Sequence, residues 1–179
     1  MKKLLAVIAF AVIATAAAVA QPRSVGGYLG LMSQGVYYQH SITEKQFIDV
    51  HLGTDVGLFY GKASAAAGFD YEFIFASFPK SKATFNLFAG PGVYTGYGFI
   101  TGSKGDGTIG PFFDVVGNFG FDVMFNCHLQ LFAKINPAAG IAICDKYDES
   151  NNYVGKTVSL DYPRALYGVI PTIGVAYAF

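Results

Sequence analysis

The sequence predicts an all-β protein, an eight-stranded antiparallel up-and-down transmembrane β-barrel formed by residues 21–179. Three observations lead there. First, 53% of the 179 residues are hydrophobic and only 13% are charged, yet no stretch after residue 20 is apolar for the length of a helical span. Any crossing of a bilayer must then be made by strands closed into a barrel, since only helices and closed barrels satisfy their backbone groups in hydrocarbon. Second, charge and bulk segregate to opposite faces of the extended segments. Third, short polar connections alternate with longer ones rich in Gly, Asp, Asn and Ser.

Taken in order, the chain opens with Met1, Lys2 and Lys3, an apolar run from Leu4 to Ala20, and Ala18-Val19-Ala20 before Gln21. A basic start, a hydrophobic middle and an Ala-x-Ala end make 1–20 a cleavable export signal. Hairpin signals then divide the rest into strands at 23–32, 35–43, 47–60, 63–77, 84–99, 110–125, 128–143 and 166–179. The connections at 43–46, 79–82 and 126–127 are short. Those at 100–109 and 144–165 are longer and are expected to lie at the opposite end.

Side chains alternate across a strand. One face collects Val25, Leu29, Val50, Leu52, Phe69, Phe73, Phe113, Phe119, Phe121, Leu131 and Ile141, with no acid or base among them. The other holds Asp49, His51, Asp55, Asp70, Glu72, Asp114, Asn118, Asp122, His128 and Lys134. A Lys or Arg facing lipid at the bilayer midplane costs about 2–4 kcal/mol, so the bulky face is expected outward. Asp49, His51, Asp55, Asp70, Glu72, Asp114, Asn118, Asp122 and Lys134 then become a polar network in the lumen. Lys134 should sit across or diagonally from Asn118 and Asp122 if the 126–127 turn closes that hairpin, giving the lumen a charge-paired network. Phe47, Phe75, Phe85, Phe125 and Phe179 at one rim, with Tyr60, Tyr97, Phe99 and Tyr167 at the other, are expected to form interfacial girdles.

The last segment carries a resemblance. Thr172, Gly174, Tyr177 and the terminal Phe179 resemble the C-terminal assembly signal of outer-membrane β-barrel proteins. With Tyr-Tyr-Gln-His at 37–40 and Phe-Ala-Gly-Pro-Gly at 88–92, the chain is similar to small eight-stranded barrels of the OmpX and OmpA transmembrane type. The resemblance implies residence in the outer membrane of a Gram-negative cell envelope. It also implies contact with outer-membrane lipid and lipopolysaccharide, and recognition by the outer-membrane assembly machinery.

Little in the sequence points to catalysis, a cofactor or a metal. The formal charge is zero with no basic run, which argues against nucleic acid. Cys127 and Cys144 fall at opposite ends of one predicted strand, about 50 Å apart at 3.3 Å per residue, and are expected to be free thiols. His128 beside Cys127 lacks further ligands at metal spacing. Gly-x-Gly-x-x-Gly at 105–110 precedes a strand instead of joining a strand to a helix, and the acidic loop Asp145, Asp148, Glu149, Asn151 and Asn152 lacks the glycine-centred spacing of a calcium loop. His51 with Asp49 and Asp55, and Ser33 or Ser64, supply the residue types of a lipid-modifying hydrolase. An eight-stranded interior is normally filled by side chains, so a monomeric protein with a structural or surface-interaction role is favoured. A narrow path for ions or small hydrophobic molecules is the next alternative, suggested by the glycine-rich inner face of 90–98, and the enzyme is the last.

Overall fold

A computed structural model describes residues 23–30, 33–57, 62–100, 110–147, 152–160 and 168–179. The expected export signal, Tyr60, Tyr167, the glycine motif through residue 109, and Asp148, Glu149 and Asn151 lie outside the described residues. These contain strands β1 (Arg23–Leu29), β2 (Ser33–Thr43), β3 (Gln46–Gly57), β4 (Lys62–Pro79), β5 (Ala83–Ile100), β6 (Gly110–Phe125), β7 (Leu129–Ile135), β8 (Ala138–Tyr147), β9 (Tyr153–Leu160) and β10 (Thr172–Ala178).

Every pairing is antiparallel. β1 to β7 form a meander, and β10 fits between β7 and β1, which closes the sheet on itself. β8 continues the line of β7 and keeps β6 as its partner. On its other side β8 pairs with β9, as β7 pairs with β10. Ten strands therefore make eight staves, one shared by β7 and β8 and one by β9 and β10. The expected eight-stranded up-and-down barrel is the fold observed, and closure removes the open edges of a flat sheet.

Three departures from the sequence reading have local causes. The single strand expected over 128–143 is interrupted at Asn136 and Pro137, where proline has no N–H for a ladder. The freed groups find other partners: Asn136 N–H donates to Gly168 O at 2.6 Å and Gly117 N–H to Pro137 O at 2.9 Å. A Cβ on Gly168 would run into Asn136 and Pro137, so this close approach requires glycine. Secondly, much of the long connection expected over 144–165 is strand, because β8 runs to Tyr147 and turns back as β9. Thirdly, β10 begins only at Thr172, with 168–170 in a turn.

Sidedness is clearest in β6, where buried and exposed residues alternate without a break from Gly110 to Asp122. Phe113, Val115, Phe119 and Phe121 point out; Phe112, Asp114, Val116, Asn118 and Asp122 point in. Phe69, Phe73, Val93, Leu131, Val175 and Tyr177 extend the exposed apolar surface round the barrel. From Phe113 to Val123 the rise is about 33 Å along the strand and, at a tilt of 35–45°, about 23–27 Å, the height of the apolar band in such barrels. Among the described residues, charge on this face is confined to its borders. Along the β8–β9 hairpin, Ile141 faces Leu160, Ile143 faces Val158, and then Asp145 faces Lys156.

One rim assignment changes. Phe47 is only 3% exposed and packs edge-on against Phe88 inside the barrel, ring centroids 5.4 Å apart; it follows the inward parity of Asp49. A bulge between Ile74 and Ala76 leaves Phe75 unpaired and outward, and beyond it Phe78 is opposite Phe85. His128, expected inward, is in the β6–β7 turn with φ 66° and an exposed ring against Tyr177. Cys127 in the same turn is an exposed free thiol.

Candidate functional site

The candidate site is the lumen, built in layers because successive inward residues on a strand are two positions apart. On β7 these are Gln130, Phe132 and Lys134; on β3 they are Phe47, Asp49 and His51. At the end of the short turns, Gln39 accepts from both Ser24 (3.0 Å) and Gln130 (2.8 Å), and Tyr37 donates to Gln130 at 3.3 Å. Asn86 donates to Asp122 at 2.9 Å in the same region.

Above this polar floor lies an aromatic layer. Tyr37 meets Phe132 edge to face at 4.8 Å, and Phe47 meets Phe88. Two of these rings occupy space vacated by a glycine on a neighbouring strand: a Cβ on Gly174 would strike Phe132, and one on Gly120 would strike Phe88. Ala176 completes the packing around Tyr37 and Phe132.

The charged layer follows. Lys134 Nζ crosses the interior from β7 to reach Asp70 Oδ2 at 2.9 Å and Asp49 Oδ2 at 3.4 Å. His51 Nδ1 is 3.5 Å from the same Asp70 oxygen. Asp70 and Glu72 are both 0% exposed. One carboxylate oxygen each from Asp49, Asp70 and Glu72 lie within 4.8 Å of one another, so these are the residues that could hold a metal. Asn136 donates to Asn118 at the edge of the layer. A second aromatic layer covers it, with Tyr94 stacked on His51 at 5.4 Å, Tyr28 edge-on to His51 at 6.0 Å, and Phe112 beside Tyr94 at 5.9 Å.

Against the sequence reading, Asp49, Asp70, Glu72, Asp114, Asn118 and Asp122 are all buried inward, and Lys134 and His51 are partly buried with them. Of Asp55 only the backbone is described, paired with Ser33 and Ser64. Lys134 takes the expected position relative to Asn118 and Asp122, but its ion pairs lie elsewhere. It is opposite Gly120, diagonal to Asn118 and Asp122, but its ammonium goes to acids on β3 and β4 across the lumen. Asn118 and Asp122 bond to Asn136 and Asn86 instead. The inward aromatics Tyr37, Phe47, Phe88, Tyr94, Phe112 and Phe132 were not anticipated. Their signal is present in the sequence: they share parity with the inward acids, and Phe88, Phe112 and Phe132 fill the space beside Gly120, Gly96 and Gly174 of other strands.

Of the C-terminal residues, Thr172 is buried, Gly174 makes room for Phe132, and Tyr177 and Phe179 project outward, 57% and 61% exposed. Arg23 and Phe179 exchange two backbone hydrogen bonds, 3.1 and 2.7 Å, completing the β1–β10 seam.

No family model matches the chain, and no curated protein matches it. Among solved structures it is similar to the crystal structure of a major outer membrane protein from Thermus thermophilus. The two are 12% identical, the match covers 90% of this chain and 100% of that one, and the TM-score is 0.45.

Proposed function

We propose that this chain is an integral outer-membrane barrel with an occluded lumen, serving a structural or surface-interaction role without catalysis. The observation that carries the reading is the combination of an apolar exterior with an interior crossed by side chains. Two aromatic layers enclose a layer in which Lys134 spans from β7 to β3 and β4. Supporting it is the confinement of outward charge to the borders of a band matching the hydrocarbon core in height. The finer resemblance to OmpX- and OmpA-type barrels belongs to the same proposal. So do export by 1–20, recognition of Thr172, Gly174, Tyr177 and Phe179 by the assembly machinery, contact with lipopolysaccharide, and a monomeric state.

The β8–β9 hairpin is the element best placed for surface interaction. Its pairs Asp145–Lys156 and Tyr147–Tyr153 lie past Gly110, where β6 begins. The test is twofold. Detergent-purified protein should migrate faster on an SDS gel before boiling than after, and planar bilayers containing it should show no single-channel conductance. Equal migration in both gel lanes would remove the barrel; steady conductance would remove the occluded lumen.

A further inference from the structure

The charged layer holds more negative than positive charge, and the excess is localised on particular atoms. Lys134 takes Oδ2 of Asp49 and Oδ2 of Asp70. Asp49 Oδ1, Asp70 Oδ1 and both carboxylate oxygens of Glu72 are buried without a hydrogen-bond partner. With Asp49, Asp70 and Glu72 ionised and His51 neutral, three negative charges face one ammonium, and the neighbouring Asn118 and Asn136 are uncharged. A buried carboxylate with no donor is costly unless something neutralises it. Glu72, 0% exposed and bonded through neither oxygen, is the most acute case.

We propose that Asp49, Asp70 and Glu72 form a binding site for one hard divalent cation of calcium size. The ligand atoms are all carboxylate oxygens, the donors such ions take. Their mutual separation, within 4.8 Å, is compatible with one coordination sphere of bonds of about 2.3–2.6 Å, and three protein carboxylates exceed the one or two that magnesium usually takes. Two positive charges cancel the excess left after Lys134. The backbone accommodates the arrangement: Asp70 Oδ1 occupies the space that a Cβ on Gly92 would take, and a Cβ on Gly90 would strike the chain at Tyr71 and Glu72. Three protein ligands leave the remaining positions to water, which places the affinity in the weak range of about 0.1–1 mM typical of extracellular calcium modules. The bound ion would tie β3 to β4 and hold the acids in place opposite Lys134.

The test uses the full chain refolded in detergent, stripped with chelator and titrated with calcium chloride in a calorimeter. Thermal unfolding is followed in parallel, and the SDS gel reports folding independently of the site. One calcium per barrel, a raised unfolding temperature and weaker binding of magnesium are expected. Glu72→Gln and Asp49→Asn should each weaken calcium binding by at least about tenfold, whereas Glu44→Gln, in the β2–β3 turn, should not. If the lumen variants fail to fold, tyrosine-sensitised terbium luminescence of the unmodified protein decides: emission displaced by calcium supports the site, and no emission refutes it. A folded barrel that binds no calcium, or binds it unchanged in Glu72→Gln, overturns the proposal. Preferential zinc binding lost in His51→Ala would also overturn it.

Discussion

At the residue scale, Lys134 carries the largest electrostatic consequence. Its ammonium is the cation shared by two buried carboxylates, and removing one partner of a buried ion pair costs about 3–5 kcal/mol because the remaining charge is stranded. Lys134→Met should lower the unfolding free energy of the refolded barrel, read from denaturant titration, by that order, and adding Asp49→Asn and Asp70→Asn should recover much of the loss. A single mutant as stable as the parent would show that the cross-lumen pair contributes little. The sequence made the inward position of Lys134 legible but not its partners. Alternation and register describe neighbours along a strand or across one hairpin, whereas Lys134 and Asp49 are 85 positions apart and meet through the barrel interior. Phe47 shows the converse: its parity pointed inward, but its closeness to a turn made it look like a rim aromatic.

At the element scale, the lumen is packed by pairing rings with glycines on adjacent staves. Gly174→Val on β10 would drive a side chain into Phe132, and overpacking of this kind costs about 1–3 kcal/mol. Refolding yield and unfolding temperature should both fall, and Phe132→Leu introduced with it should restore part of each. The outward faces follow a different rule, set by depth. Phe119→Lys, on the middle of β6, should cost about 2–4 kcal/mol in lipid, whereas Leu129→Lys, beside the β6–β7 turn, should cost about 0–1 kcal/mol; equal costs would mean that depth in hydrocarbon does not govern this surface. Most strands could be read from the sequence because they alternate without interruption. β9 could not: Tyr153-Val-Gly-Lys-Thr-Val-Ser-Leu160 does alternate, but Lys156 and Thr157 in its centre, and the Asp- and Asn-rich residues before it, gave it the composition of a loop. The bulge at Phe75 was equally hidden, since an extra residue shifts parity without altering composition.

At the scale of the whole molecule, the proposed occlusion of the lumen implies that conduction must be created by removing bulk. Phe47→Ala with Phe88→Ala deletes one half of the lower aromatic layer. Each truncation costs about 3–5 kcal/mol, so the double variant should unfold at a lower temperature. Where it still folds, it should leak small ions in bilayers where the parent does not. A leak-free, fully folded double variant would mean that the charged layer alone closes the path.

The interruption at Asn136 and Pro137 gives one stave two different companions, β10 below and β9 above. The ladder along it is therefore two ladders, and each can open by itself. In heavy water the amides of 141–147 and 153–160 should take up deuterium well before those of 129–134, whose neighbours belong to the closed ring. The mouth of the barrel can then fluctuate on its own timescale while the seam that holds the cylinder shut stays zipped.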